Sequence, residues 1–491
     1  MLRLGRIRIN SASSLGLNVY FRFAIYNHSR LGRIRINSAS SLGLNVYFIN
    51  LQRFITKRRY MEIKKQLYPL KFIPIPSKRV WGGSSLIEKL GKELVEVDDD
   101  GNETALTSKD RIGESWEIAD MGFEDSVVAN GWLAGNTISD LMETYLERIV
   151  GEDIYQYYGR QFPLLIKFLD IQDRLSVQVH PDDEIAEQRY DALGKSEIWH
   201  ILDAAPGAKI YAGFNREVSA QELYDRCHNG TVEEILNVIY PKKGDSLYIT
   251  PGTVHAADGG LLIAEIQESS DLTFRLYDWG REFNPQTARE MHLEEAIDLI
   301  NYSRFDESLY IKAGHGCSHH NAVHHDHHDD SCGHDHQDEI VQKLVQSPQF
   351  TVNKLKVSDP LHIYTEKFGR FIIYICIKGE VDIQVPSTND NGEKVTESYR
   401  LKKGETVLIP ADMPDFFIVP VDRDSELLEA MIEKSEEMDE YINPDTAPYL
   451  EGEDYEGMED EDFDDECCGE DCDEDECGHE HCTCGHHHHH N

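Results

Sequence analysis

Short β-like runs dominate the chain from Pro163 to about Pro420. Segments such as PLLIKFLDI, RLSVQVHP, SEIWHILDA and DSLYITPG are alternating or continuously apolar, and Gly, Pro or Asp bounds each of them. Short strands at this spacing are typical of an all-β sandwich or barrel. Helical periodicity precedes them over 136–151, which begins with a Ser/Asp capping signal, and interrupts them over 219–239.

An internal echo indicates two related β units. KKGDSLYITPGTVHA at 242–256 and KKGETVLIPADMPDF at 402–416 each contain a tight Gly turn followed by an apolar strand and a Pro. The second copy lacks the His. We therefore predict a mainly β fold of two cupin (jelly-roll) domains with accompanying helices. A catalytic cupin domain is expected over 61–313 and a second cupin-like domain over 340–432.

Three segments differ from these units in composition. The sequence RLGRIRINSASSLGLNVYF occurs twice without change inside 1–60, which hold eleven Lys/Arg and no acidic residue. We expect a non-native extension there, with translation starting at Met61, or alternatively a targeting segment. The His/Cys-rich insertion 314–339 and the acidic, His/Cys-rich tail 433–491 cannot bury enough apolar surface to fold alone. Both are expected to be disordered unless they bind transition-metal ions.

Charge and cysteine usage exclude several classes of protein. The net charge of the chain is −42, so its body repels nucleic acid and acidic membrane surfaces. No apolar run reaches the length of about 20 residues that a membrane-spanning helix needs. Only Cys227 and Cys376 lie in sequence expected to fold, which argues against a disulfide-built secreted domain. A cytoplasmic protein is the expectation.

Candidate metal ligands lie at strand ends. Gln178 and His180, in SVQVHP, are two residues apart and therefore point to one face of a strand. Lys195 and Glu197, in GKSE, have the same spacing and are either a surface salt bridge or a metal ligand with a Lys beside substrate. His255 follows a Pro-Gly turn in PGTVHA. Two His, one Glu and one Gln on adjacent β segments form a plausible zinc site with nitrogen and oxygen donors.

Further polar residues follow in AEIQESSDLTFRLYDWGR. Alternation places Glu265 and Gln267, and later Asp271 and Arg275, near the same cavity, although the intervening turn leaves their phase open. An Arg at this point can bind a phosphate or a developing negative charge.

These segments resemble the type I mannose-6-phosphate isomerases in their short bacterial form. SVQVHPDDE, GKSE, PGTVHA and SSDLTFRLYDWGR occur in that family's order with similar gaps, and RVWGG and IGESWEI resemble its N-terminal segments. The resemblance runs from about Tyr68 to Ile432. It implies one Zn²⁺ bound by Gln178, His180, Glu197 and His255. It also implies an active site lined by the four residues Lys195, Glu265, Asp271 and Arg275.

The resemblance further implies an enzyme of carbohydrate metabolism. Its reaction is the interconversion of mannose 6-phosphate and fructose 6-phosphate through an enediol, with a small sugar phosphate as the partner. Two other classes stay open: a metal-buffering protein on a cupin scaffold, and a non-catalytic sugar-phosphate sensor. Ala256 and Ala257 stand where long forms of the family have an aromatic residue, and LYDWGR stands where they have a basic-rich segment. The phosphate contacts are therefore left open by the sequence.

Overall fold

The computed structural model describes residues 65–98, 101–314, 340–365, 368–388, 392–435 and 438. It also describes the backbone of two short antiparallel strands, β1 (Asn18–Arg22) and β2 (Arg33–Asn37). The predictions for the rest of 1–60, for the insertion after Gly314 and for nearly all of the tail 433–491 lie outside the described residues.

Strands β3–β16 occupy the first part of the described chain. They are β3 (Ile75–Gly83), β4 (Val95–Val97), β5 (Glu103–Ala105), β6 (Ile112–Ile118), β7 (Leu164–Ile171), β8 (Val177–Val179), β9 (Glu197–Ala204), β10 (Lys209–Phe214), β11 (Leu236–Ile239), β12 (Ser246–Ile249), β13 (His255–Asp258), β14 (Leu261–Glu268), β15 (Phe274–Tyr277) and β16 (Tyr310–Ile311).

Two antiparallel sheets formed by these strands pack face to face and are called here the first sandwich. One has seven strands in the order β16-β12-β9-β14-β7-β6-β3, and the other has five in the order β11-β10-β13-β8-β15. Apolar side chains from both sheets, including Trp199 and Ile249 of the first and Ile210 and Ala257 of the second, form one buried cluster between them. Strands β4 and β5 form a separate two-stranded ribbon.

The helices are short and lie between strands. They are α1 (Ser85–Glu88), α2 (Ile138–Tyr145), α3 (Glu147–Val150), α4 (Glu152–Tyr158), α5 (Asp183–Tyr190), α6 (Ala220–His228) and α7 (Leu293–Ala296), with 3₁₀ turns at Gly131–Leu133, Val232–Glu234, Arg281–Phe283 and Glu307–Leu309.

Both predicted helices are shorter in the structure than the periodicity suggested. The first begins after a Thr137 cap that forms a capping box with Asp140, and it breaks at Leu146, whose φ is +48°. The second prediction, 219–239, is wrong beyond His228. Gly230 takes a φ of +67°, which ends the helix, and the apolar residues after the following turn form β11 instead.

Strands β17–β25 form a second sandwich. They are β17 (Val341–Gln346), β18 (Thr351–Val357), β19 (Leu361–Ile363), β20 (Ile372–Lys378), β21 (Glu380–Thr388), β22 (Lys394–Lys402), β23 (Thr406–Ile409), β24 (Phe416–Pro420) and β25 (Ser425–Met431). Their two antiparallel sheets have the strand orders β17-β18-β25-β20-β23 and β19-β24-β21-β22. The prediction of a mainly β, jelly-roll chain is confirmed, whereas the domain boundaries stay a prediction.

A continuous apolar core joins the two sandwiches. The outer face of the seven-stranded sheet contributes Ile166, Ile198 and Ile266 to a buried cluster that also contains most of the apolar side chains of β18, β20 and β25. Phe162 meets Phe371 with ring centroids 5.0 Å apart across this contact. Every residue of β7 and β14 is buried, so these strands are covered on both faces and form a rigid support for side chains on the inner face.

Both cysteines expected in folded sequence are free thiols. Cys227 on α6 and Cys376 on β20 are buried, and burial raises the pKa of each thiol to about 12. Neither is therefore reactive as a thiolate. Among the described helices, none combines the length and the apolar character that crossing a membrane requires.

Candidate metal and substrate site

Charged side chains line one end of the inner face of the seven-stranded sheet. Glu265 lies directly opposite Trp199 of β9 and directly opposite Lys167 of β7, while Gln267 lies opposite Glu197. Side chains of directly opposed residues share a face of a sheet, so the pairing alone brings all five together. Each of the five is at least 95% buried.

Two histidines from the opposite sheet meet Glu197. His180 follows β8, and His255 begins β13, where it pairs with Gln178. One Glu197 oxygen lies 3.6 Å from His180 Nε2, and the other lies 3.3 Å from His255 Nε2. Ligand atoms of these three side chains all lie within 4.8 Å of one another. A cluster of this size suits a single metal ion.

Hydrogen bonds fix the tautomer of both histidines. His180 Nδ1 lies 2.8 Å from the carbonyl oxygen of Leu272, and His255 Nδ1 lies 2.9 Å from that of Thr253. A carbonyl oxygen only accepts, so each Nδ1 must carry the proton. With the proton on Nδ1, the Nε2 atom of each ring faces Glu197, the arrangement that metal-ligating histidines use. Burial and the charge of Lys195 hold the pKa of His180 well below its usual value, which keeps the ring neutral.

Three acceptor atoms in this cluster have no hydrogen-bond donor of suitable geometry. His180 Nε2 and both Glu197 oxygens are buried without a partner of hydrogen-bonding geometry. Buried acceptors that face one another cost free energy unless a cation or a donor satisfies them. Imidazole nitrogens and carboxylate oxygens are also the ligand atoms that zinc binds in proteins. The residues therefore fit a divalent metal ion.

Gln178 reaches the edge of this cluster. Its Nε2 lies 3.2 Å from His255 Nε2, and its Oε1 accepts a hydrogen bond of 3.2 Å from the Ser176 hydroxyl. The structure thus brings His180, Glu197 and His255 together as candidate ligands and places Gln178 beside them.

Lys195 is the nearest cation to the cluster. Its Nζ lies 3.3 Å from a Glu197 oxygen, and both side chains are buried. Burial favours the neutral forms, but the mutual attraction outweighs it: the pKa of Glu197 falls well below its usual value and the pKa of Lys195 rises. Lys195 also feels the charges of Glu265 and Asp271, so the pair is part of a larger charged group. The surface salt bridge considered from the sequence is excluded by this burial.

Glu265 lies behind Glu197 on the neighbouring strand. It accepts a hydrogen bond of 2.8 Å from Trp199 Nε1 and lies 3.7 Å from Lys167 Nζ. Burial and the charge of Glu197 raise the pKa of Glu265 to about 7, against the opposing charges of Lys167 and Lys195. A carboxyl group of this kind can exchange a proton near neutral pH.

Asp271 and Arg275 lie farther out. Asp271 is exposed, and its charge acts on Lys195 and on Arg79. Arg275 lies opposite Gln178 in the sheet, and its Nε donates to Ser176 Oγ at 3.3 Å. Asp271 therefore acts on the charged group through its charge, while its side chain is exposed to solvent.

Sequence reasoning missed three charged residues in this site. Lys167 is the single cation in the apolar run PLLIKFLDI. A lysine in a strand expected to be buried is unusual, and this was the signal that could have identified it. Arg79 and Glu114 lie in the quoted segments RVWGG and IGESWEI, and Arg79 Nε donates to Glu114 at 2.8 Å. Burial raises the pKa of Glu114, but the charges of Lys167 and Arg79 outweigh it and bring that pKa to about 2.

Comparison with known proteins supports the sequence resemblance. Residues 70–215 match the family model of the phosphomannose isomerase type I catalytic domain. The mannose-6-phosphate isomerase ManA of Bacillus subtilis is 32% identical over 349 residues, which are 71% of this chain and 95% of the relative. A mannose-6-phosphate isomerase of Streptococcus mutans is 29% identical, with 68% and 89% covered. The crystal structure of the Bacillus subtilis mannose 6-phosphate isomerase superposes with a TM-score of 0.57 at 28% identity, covering 74% of this chain and all of that one.

Proposed function

The chain belongs to the type I phosphomannose isomerase family, and from that premise we propose that it interconverts mannose 6-phosphate and fructose 6-phosphate with one bound Zn²⁺. The observation that carries the metal is the convergence of donor atoms from buried His180, Glu197 and His255, of which His180 Nε2 and both Glu197 oxygens have no hydrogen-bond partner. Gln178 is proposed as the fourth ligand, through its amide oxygen, once its amide group turns by 180° so that Oε1 replaces Nε2 beside His255. A bound zinc ion would supply Lewis acidity toward the carbonyl and hydroxyl oxygens at C1 and C2 of the sugar.

The chain's own residues supply the proton chemistry. A base removes the proton from C2 of the open-chain aldose, and the electron pair of that bond forms the C1–C2 double bond of an enediol while the C1 oxygen takes up a proton. The same proton is then delivered to C1 as the C2 hydroxyl loses its own and becomes the ketone. Lys195, Glu265 and Asp271 are the proposed base and shuttle groups. Glu265 has the pKa closest to neutral pH.

Burial of the charged group supports this assignment over a passive binding site. Lys195, Lys167 and Glu265 are held by the sheet within a low-dielectric interior, where charges act strongly on a reacting substrate. A sensor needs to recognise its ligand but does not need a buried carboxyl group of near-neutral pKa. The sensor class is therefore the less favoured one.

A coupled assay tests the proposal. Purified chain is treated with a chelator, reloaded with Zn²⁺, and assayed with mannose 6-phosphate, glucose 6-phosphate and pentose phosphates while bound metal is counted by elemental analysis. We expect turnover of mannose 6-phosphate that disappears with the metal and returns with zinc. A variant lacking 314–339 and 451–491 serves as the matched control, because it removes the His/Cys-rich segments but keeps the described site. Zinc-loaded protein that turns over none of these phosphates would contradict the proposal.

A further inference from the structure

Strand β15 is irregular at Arg275. Arg275 lies opposite Gln178 of β8, but the next pair is Tyr277 with Val177, so β15 has one extra residue between two successive pairs. A bulge of this kind bends the strand and changes the direction in which its side chains point. Because β15 is an edge strand of the described five-stranded sheet, the other side of Arg275 is left to a segment outside the sheet.

The segment 290–292 covers that side of Arg275. The backbone N–H of His292 donates to the Arg275 carbonyl at 2.8 Å, and the backbone N–H of Arg275 donates to His292 Nδ1 at 3.2 Å. Nη1 of Arg275 donates to the Glu290 carbonyl at 2.7 Å. One short segment therefore holds both backbone groups and the guanidinium of Arg275.

The bond from Arg275 fixes the tautomer of His292. A backbone N–H only donates, so Nδ1 must be the unprotonated nitrogen, and Nε2 carries the proton of the neutral ring. This is the opposite tautomer to that of His180 and His255. The ring packs edge-on against Phe274 with centroids 6.0 Å apart, and the side chain is only 24% exposed. The acceptor is therefore held in place toward β15.

His292 also stands at the start of a helix that it does not cap. It immediately precedes α7, where a side-chain acceptor normally binds one of the free N–H groups of the first turn. The side chain of His292 forms no such capping bond. Its acceptor serves Arg275 instead, and a local rule broken in this way is typical of a functional position.

The guanidinium of Arg275 lies where it has to be held. Burial and the charge of Arg289 lower the pKa of Arg275 to about 10, against the opposing charge of Asp278. The group is still charged at neutral pH, and it would gain hydration and relieve the repulsion by turning toward solvent. The hydrogen bonds from the segment 290–292 oppose that movement.

We propose that His292 is the positioning residue of Arg275: its unprotonated Nδ1 holds the bulged backbone of β15 and so keeps the guanidinium beside Ser176, next to the candidate ligand Gln178. The inference rests on the proposed function for what Arg275 does, and on the hydrogen bonds of His292 for how Arg275 is held. A displacement of a charge-binding group by about 1 Å can slow a reaction by roughly a hundredfold, so a residue that only positions such a group affects turnover.

Paired variants test this role in the full, zinc-loaded chain. His292→Leu keeps much of the bulk of the ring but removes its acceptor, whereas His292→Asn places an amide oxygen where Nδ1 lies. His228→Leu is the matched control, because His228 is also a helix-end histidine bonded through Nδ1, but its partner is the Tyr224 carbonyl of its own helix, at 3.0 Å. The substitution His292→Leu is also made together with Arg275→Ala. Turnover of mannose 6-phosphate, zinc content and melting temperature are recorded for every variant.

We expect His292→Leu to lower kcat roughly tenfold with KM changed less than about threefold and zinc content unchanged. His292→Asn should recover part of the loss, and His228→Leu should lose nothing. Combined with Arg275→Ala, His292→Leu should cause no further loss, because the residue through which it acts is already gone. The same tenfold loss with and without Arg275 would overturn the inference.

Nitrogen-15 NMR of the histidine-labelled chain gives a readout that does not depend on turnover. It is recorded at about pH 8, above the ordinary histidine pKa of about 6.5. The signals of His292, identified by their loss in His292→Asn, should show an unprotonated Nδ1 and a protonated Nε2, the reverse of His228. A protonated Nδ1 in His292 would overturn the inference. A wild type with the expected His292 signals that isomerises no sugar phosphate would refute the proposed function and leave the bond between His292 and Arg275 standing.

Discussion

The two sandwiches place a buried glutamate at the same point of the same three-stranded arrangement. In the first, Glu265 on the central strand β14 lies between Trp199 and Lys167. In the second, Glu429 on β25 lies between Tyr374 and Asn353. The aromatic residue donates to the glutamate in both cases, Trp199 Nε1 at 2.8 Å and the Tyr374 hydroxyl at 2.9 Å.

The difference lies in the third partner and in the next row of residues. Asn353 donates a neutral hydrogen bond of 3.0 Å to Glu429, whereas Lys167 puts a positive charge 3.7 Å from Glu265. Two residues before the aromatic partner, the first sandwich has Glu197 and the second has Ile372. A jelly roll therefore accommodates a buried carboxyl group with neutral donors alone. Cations and histidines surround only the glutamate of the first sandwich, Glu265, and this surrounding is typical of a functional site.

The largest effect is expected from substitution of His255, which has no histidine counterpart in the second sandwich. His255→Ala removes a candidate ligand, so the chain should lose bound zinc and mannose 6-phosphate turnover by roughly a thousandfold or more, about 4 kcal/mol in barrier. Asp415→Ala is the matched change, since Asp415 occupies the corresponding position in the sequence echo of the second sandwich. It should keep both. Elemental analysis beside kcat/KM decides, and a His255→Ala variant with full zinc and normal turnover would remove His255 from the site.

Arg275 should have the next largest effect. Arg275→Ala is expected to keep the zinc and the fold but to lose about 2–4 kcal/mol of transition-state stabilisation, the scale for removing one donor to a developing charge. Its side chain touches Ser176 and the Glu290 carbonyl and no candidate ligand directly. Metal content and kcat/KM are measured on the same preparation. Loss of zinc on this substitution would show that Arg275 instead helps to hold the candidate metal ligands in place.

The two glutamates allow the sharpest matched pair. Glu265→Gln should lower kcat roughly 100-fold, because an amide cannot accept and return a proton. Glu429→Gln should leave kcat unchanged and alter the free energy of unfolding by about 1 kcal/mol, since the hydrogen bonds from Tyr374 and Asn353 have a similar partner. Equal losses of kcat in both variants would mean that the two sites are coupled and the contrast drawn between them is wrong.

The smallest effect is a pH dependence of stability. Burial raises the pKa of Glu429 above its ordinary value of 4.5, so proton binding is tighter in the folded state than in the unfolded one. Protonation of Glu429 therefore stabilises the folded state. This contribution to the free energy of unfolding is complete below about pH 4.5 and is lost as the pH rises through the raised pKa of the folded state. The melting temperature of the wild type should therefore fall relative to that of Glu429→Gln as the pH rises from 5 toward 8. Parallel curves for the two proteins would exclude this contribution.

Local sequence patterns predicted most residues of the candidate site, whereas the other residues depend on long-range strand pairing. Gln178 with His180, and Lys195 with Glu197, were readable because two-residue spacing fixes a common face. Lys167 was not readable, because its role follows from the register of β7 against β14, which no local pattern encodes. The domain echo was visible, yet the helix predicted over 219–239 ended early because Gly230 in the left-handed region overrode the apolar periodicity. The metal-binding role of the four proposed ligands stays a prediction.

The shared core between the sandwiches has a consequence for synthesis of the chain on the ribosome. Leu70, near the start of the described fold, exchanges backbone hydrogen bonds of 2.8 and 2.9 Å with Leu408. The outer face of the seven-stranded sheet is likewise covered by β18, β20 and β25, which are synthesised later. Until those strands have left the exit tunnel, a wide apolar sheet face stays uncovered and open to association with other nascent chains. Yield in a cell should therefore depend on chaperone supply during translation, even where the finished protein is stable.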